Sequence, residues 1–162
     1  MSSSYEVRAY EYVNRPYDRV SELLRLDAVG VFQRATASAT ARARALVSTL
    51  RANFGPLELG ADVLVQVTSV EEQRDAPLGP RTRLHLKWEG SLRPDLFPTM
   101  DATFDVYALG AEETQIDFHG TYLPPLGIVG AAIDAVVGHR IAQAAVHRFV
   151  EEIAERLRVD VP

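Results

Sequence analysis

The chain has 162 residues, 47% hydrophobic and 24% charged, which is enough for one domain with a sizeable core and too apolar for a disordered chain. Its net charge of -5 excludes partners that need a basic field, such as nucleic acid or an anionic membrane. With no cysteine, disulfides, thiolate metal sites, iron–sulfur clusters and cysteine nucleophiles are excluded as well.

Met1 and three serines lead straight into a charged, alternating segment with no signal-peptide pattern, so the expected compartment is the cytoplasm. That segment, 5–13, predicts a strand with Val7, Ala9, Glu11 and Val13 on one side and Glu6, Arg8, Tyr10 and Tyr12 on the other. The alternation does not decide which side faces the core. Asn14-Arg15-Pro16 then starts a helix, with its cap expected at Asn14 or Arg15 and its apolar stripe at Val20, Leu23 and Leu24. From 31 to 50 the period stays helical in an alanine-, serine- and threonine-rich segment, predicting one or two short helices that Gly55 and Pro56 end.

Four strand-like segments follow. The first, 61–70, carries Val63, Val65 and Val67 on one face. After a loop at 76–80, residues 83–89 alternate with Leu84, Leu86 and Trp88 inward. Pro94 and Pro98 make 92–98 a loop. The last two strands turn Met100, Ala102, Phe104 and Val106, then Ile116, Phe118, Gly120 and Tyr122, to the core, joined by a hairpin turn at 109–113. A long helix of about 127–157 closes the chain, with Ile133, Val137, Ile141, Ala145, Phe149, Ile153 and Leu157 at four-residue intervals. Gly130, Ala131, Ala135, Gly138 and Ala142 thin its first half, so that it can lie close to another surface. The most apolar run, 123–137, is interrupted by Asp134 and is shorter than the ~20 residues of a membrane helix, so no integral membrane segment is expected.

One strand, helices, an antiparallel meander and a terminal helix make an α+β pattern over a single domain, 1–162. This order, with the motifs NRPYDRV, WEG…LFPTMDA and TYLPPLGIVGAAIDAVVGHR, resembles the SRPBCC or START-like superfamily, which includes polyketide cyclase/dehydrase and lipid-transfer proteins. The resemblance implies a helix-grip fold: a curved antiparallel sheet wrapped around a long C-terminal helix, two short helices near the N-terminus, and an apolar cavity. Only five strands are clear where that superfamily commonly has six or seven; a further strand is either hidden between Val31 and Leu59 or short and missed.

The candidate ligand-binding residues are Trp88, Phe97, Met100, Phe104, Phe118, Tyr122 and Asp134. The aromatic ones would line a cavity left by the small residues of the terminal helix, although aromatics at such positions also simply fill cores. Asp134 falls near the apolar arc of that helix, where a carboxylate binds a polar ligand head, acts as an acid or base, or makes a structural salt bridge. Arg148 lies near the same arc, and Glu11 raises the same question if Val7 points inward. His139, Gln143 and His147 fall along one helix edge, but about 12 Å of rise separates the histidines, too far for one metal ion, and a solvated polar edge explains them equally. Asp105 and Asp117 lie on the outer face of neighbouring strands, either opposite each other or with Asp105 opposite His119; arginine-screened surface charge is the plain explanation. No nucleotide-binding motif and no GxSxG elbow occurs.

The resemblance, more than the spacing of these residues, therefore points to a binding or carrier protein for a hydrophobic small molecule such as a lipid, polyketide or isoprenoid, oriented by Asp134, Tyr122 or Tyr107. No cofactor or metal is expected. Two alternatives remain: a cyclase/dehydrase-like enzyme using a buried carboxylate or tyrosine, and a regulatory or interaction protein with a filled core.

Overall fold

Strict alternation of apolar and polar residues produces a sheet with one dry face, and in the computed structural model five strands build it. The structure describes residues 4–54, 63–90, 99–123 and 135–162. In chain order these are β1 (Tyr5–Val13), α1 (Tyr17–Phe54), β2 (Val63–Gln73), β3 (Arg81–Gly90), β4 (Thr99–Gly110), β5 (Glu113–Leu123) and α2 (Ala135–Asp160). The sheet is antiparallel, open and curved, in the order β1-β5-β4-β3-β2. Register shifts between Val67 and Ser69 and between Ala108 and Gly110 mark bulges, which bend and twist strands locally.

Turn chemistry fits the connections. Gly79 holds φ +100, a conformation that favours glycine, and its amide donates to the Ala76 carbonyl at 2.9 Å between β2 and β3. Gly110 pairs with Glu113, so the β4–β5 hairpin turns on Ala111 and Glu112 alone.

The sequence left open which side of β1 faces inward. Val7, Ala9 and Val13 are buried, while Tyr10 and Tyr12 are exposed and meet edge to face at 5.7 Å. Glu11 sits on the inner side but only half-buried, and pairs with Arg158 at 3.5 Å.

The helix cap differs from expectation. The Val20 amide donates to the Pro16 carbonyl at 3.1 Å, which makes Pro16 the cap rather than Asn14 or Arg15. Arg15 is used elsewhere: its guanidinium donates to the carbonyls of Val161 and Arg158, both at 2.7 Å, satisfying groups at the C-terminal end of α2. The two helices near the N-terminus form one helical element kinked at Asp27 (φ -141, ψ 39), and the part after the kink is long. Residues 31–54 are helical throughout, so no strand lies there; 55–59 fall outside the described residues.

α1 and α2 pack against each other and against the dry face. α2 also covers the free edge of β1, where Gln143 donates to the Arg8 carbonyl at 2.6 Å and Arg158 donates to the Tyr12 carbonyl. Among the described residues, no helix is long and apolar enough to cross a membrane.

Candidate functional site

The register stacks the inward residues of the sheet into rows. One row runs Val65, Trp88, Met100, Tyr122, Tyr5 across all five strands. The next, Val67, Leu86, Ala102, Gly120, Val7, is small at its centre, and the third restores bulk with Leu84, Phe104 and Phe118. A Cβ placed on Gly120 would lie 2.8 Å from the Phe118 ring and 2.9 Å from the Met100 sulfur. Those two side chains therefore lean over the glycine from either side.

On the side of Phe118 the space is closed. Phe149 of α2 meets Trp88, Phe118 and Phe32 at ring separations of 5.0, 5.6 and 5.9 Å, and Phe32 meets Phe104 at 5.2 Å. Trp88 Nε1 donates to Thr36 Oγ1 at 2.9 Å, so the indole is fixed at both its ring and its polar end. These separations are those of packed aromatic pairs. Trp88, Phe104 and Phe118, three of the residues named from the sequence, belong to this cluster.

The other end is different. From Val146 onward α2 is two-sided, with Val146, Phe149, Val150, Ile153, Ala154 and Leu157 buried. Before it, residues 141–145 are all half-buried, as are Met100 and Tyr5 on the inner face of the sheet. A helix sealed against a core shows alternation. Uniform half-burial of Ile141, Ala142, Ala144 and Ala145 marks apolar surface that the described residues do not close off.

Three rings stand at this end. Tyr122, only 5% exposed, stacks on Tyr5 at 5.6 Å and on His139 at 6.4 Å, and Tyr5 and His139 are 6.2 Å apart. Tyr122 Oη lies 3.3 Å from His139 Nδ1, a hydrogen bond in which either atom can donate. Burial, and secondarily Tyr5, pushes the Tyr122 phenol above its ordinary value, so it keeps its proton at neutral pH. Helical spacing alone set His139 on a polar edge; its tyrosine partner lies 17 residues earlier on a strand, which no local pattern shows. Phe97 and Asp134 lie outside the described residues.

The remaining candidates take structural roles. Asp105 and Asp117 are directly opposite. Arg83 clasps Asp105 with two bonds of 2.7 and 2.9 Å, and Asp117 accepts from Tyr107 at 2.7 Å and Gln115 at 2.8 Å. Tyr107, expected as one of the groups that orient a ligand, thus faces away from the helices, with the Arg81 guanidinium 5.4 Å above its ring. Arg148 bridges Ser38 at 2.9 Å and Glu152 at 2.7 Å, tying α2 to α1. His147 is exposed, and among the described residues no cluster of histidine and carboxylate groups is arranged to hold a metal ion. A shallow groove of about 270 Å³ on the outer face of the sheet is bordered by His85, Asp101, Thr103 and His119, on the side opposite the aromatic wall.

No family model and no curated protein matches the sequence. Solved structures do. The chain is similar to the Zhui aromatase/cyclase from Streptomyces sp. R1128, with 14% identity, 99% of this chain and 97% of that one covered, and a TM-score of 0.52. A conserved protein from Geobacillus kaustophilus gives 14% identity, 94% and 95% coverage and a TM-score of 0.51. Norcoclaurine synthase from Thalictrum flavum gives 12% identity, 98% and 89% coverage and a TM-score of 0.45. At these identities the likeness shows architecture alone. The chain has the fold of these structures, a helix-grip architecture.

Proposed function

We propose that the protein binds a hydrophobic small molecule, of the lipid, polyketide or isoprenoid class, between the dry face of the sheet and the first part of α2. The observation that carries this reading is the change along α2, from half-buried Ile141, Ala142, Ala144 and Ala145 to a sealed aromatic core from Val146 onward. Among the described residues that apolar end is only half-closed, which is what an interior that takes up an apolar ligand requires. Met100 and Tyr122 line the opening, and Trp88, Phe104 and Phe118 form the wall behind it. Phe97 and Asp134 complete the proposed set.

The expected affinity follows from area. Burying about 250 Å² of apolar ligand surface at about 25 cal/mol per Å² yields about 6 kcal/mol, a Kd of tens of micromolar on the order-of-magnitude scale. Trp88, the only tryptophan, reports occupancy of the neighbouring space. Titration with fatty acids and polycyclic aromatics shifts its emission in the wild-type protein, and Phe97→Ala and Asp134→Asn weaken that response. The reading fails if native mass spectrometry of freshly purified protein shows no retained ligand and the same panel leaves Trp88 emission unmoved.

A further inference from the structure

We infer that Thr36 is a positioning residue that sets the depth of the ligand space by pinning Trp88, so that apolar chains are selected by length; this rests on the proposed binding of an apolar molecule between the sheet and the first part of α2. Trp88 stands on the border of that space. By register it belongs to the half-open row, directly opposite Met100 on β4, while its ring meets Phe118 at 5.4 Å and Phe149 at 5.0 Å. It keeps 8% of its surface exposed, against 2% or less for Phe104, Phe118 and Phe149. Of that aromatic cluster it is therefore the member its neighbours cover least.

The indole has one polar group, and the partner of that group decides where the ring sits. Nε1–H donates to Thr36 Oγ1 at 2.9 Å, and Thr36, on α1, is itself buried. A ring swung away from α1 gives up this acceptor, and its ring neighbours Phe118 and Phe149 have no side-chain acceptor to replace it. A buried N–H without a partner is costly, so one hydroxyl on α1 fixes the wall that β3 contributes. Met100, the neighbour of Trp88 on the sheet, has no such tether and is half-buried and flexible. A ligand moving inward thus meets first a side chain that yields and then one that does not. Thr36 acts only through Trp88: losing its acceptor moves the wall and removes no contact with the ligand.

The test uses the full chain and saturated fatty acids of eight, ten, twelve, fourteen and sixteen carbons, each below its critical micelle concentration, in equilibrium dialysis at neutral pH. Wild-type affinity is expected to rise about tenfold for each two added carbons and then to stop rising, at the length where the chain meets Trp88. Thr36→Val keeps the shape of the side chain without the acceptor. It is expected to lengthen that limit by two carbons or more and to shift Trp88 emission in the free protein, and Thr36→Ser, which keeps the hydroxyl, is expected to restore both. Trp88→Phe, which has no N–H to hold, is expected to lengthen the limit as well, and Thr36→Val added to it to change the limit no further. An unchanged limit in Thr36→Val overturns the role of Thr36 and leaves the apolar site standing. So does an equal loss of affinity at every length, which marks a packing defect, and so does wild-type affinity that climbs through sixteen carbons. Where Thr36→Val fails to fold, Trp88→Phe decides: a longer limit upholds the inference and the wild-type limit overturns it. Binding of no fatty acid by the wild-type protein overturns this inference and the apolar site together.

Discussion

Phe149 tests where the core ends and the proposed binding space begins. Its ring is 2% exposed and touches Phe32, Trp88 and Phe118, each of which is itself held: Phe32 by Phe104, and Trp88 by Thr36. Replacing a buried phenylalanine with alanine costs about 3–5 kcal/mol, most where the neighbours cannot collapse into the gap. Pinned neighbours place Phe149→Ala at about 4 kcal/mol, and Phe149→Leu, which keeps most of the volume, at about 1.5 kcal/mol or less. For a chain of this length each kcal/mol moves Tm by about 2–4 °C, so the alanine variant should melt about 8–16 °C lower. Met100→Ala at the half-buried end removes fewer contacts and should cost only about 1 kcal/mol. Urea unfolding followed by far-UV circular dichroism, compared at equal m-values, measures all three. If Phe149→Ala costs no more than Met100→Ala, the aromatic wall is not a packed core, and the division of the interior argued above is wrong.

On the outer face, Arg83→Met leaves Asp105, whose side chain is 15% exposed, without its two charge-assisted bonds and directly opposite Asp117. Because Arg83 is itself 36% exposed, solvent screening limits the loss to about 1–2 kcal/mol in chemical denaturation, and Asp105→Asn in the same background recovers at least half of it; absence of any recovery shows that the carboxylate pair is not the cause. Tyr107 provides a pH test: burial first, and then its bond to Asp117, pushes its phenol up to about 12 from the ordinary 10.0. Since the folded state holds this proton to higher pH than the unfolded chain, the contribution is fully present below about 10 and is lost as pH rises through about 12. Absorbance titration at alkaline pH should show a late tyrosine step missing from Tyr107→Phe, and that variant should lose less stability than wild type over the same window; identical curves refute the assignment.

What the sequence could show was whatever one-sided burial imposes locally. Leu84, Leu86 and Trp88, or Ile116, Phe118 and Tyr122, alternate because a sheet with one dry face admits no other pattern, and each falls on the buried face as its spacing predicts. β1 was ambiguous because tyrosines outside and valines inside are equally good strand formers, and because Glu11 on the inner side is tolerated only through Arg158, 147 positions away. The length of α1 was obscured by its alanine, serine and threonine content, which gives a weak apolar stripe, and by the break at Asp27 that leaves Leu26 and Val29 exposed. Arg15 looked like part of a cap because its true partners are carbonyls at the far end of the chain. The proposed site was legible in the same measure: the inward positions of Met100 and Tyr122 from strand alternation, but His139 only as a member of a polar helix edge. Of the three residues on that edge, Gln143 covers a strand, His139 meets a tyrosine and His147 is exposed, a division that only the packing of α2 on the sheet creates.

The two side chains that lean over Gly120 are not equivalent, and the difference bears on how the proposed site would admit a ligand. Phe118 is held by Trp88 at 5.4 Å and by Phe149 at 5.6 Å, so its ring cannot leave without disturbing the sealed core. Met100 is half-buried, unbranched and has three rotatable bonds, so its thioether can swing off the glycine by side-chain rotation alone. On the proposed reading the ligand therefore enters from the Tyr122 side, displaces the Met100 sulfur, and lies along the small row of Val7, Gly120 and Ala102 with no rearrangement of the strands. Any side chain at position 120 would occupy the floor of that row, which on the same reading makes the missing Cβ part of the proposed site. The same asymmetry is the physical reason why truncating Met100 should cost little while truncating Phe149 costs much: one is half-buried beside the proposed ligand space, and the other completes a packed aromatic wall.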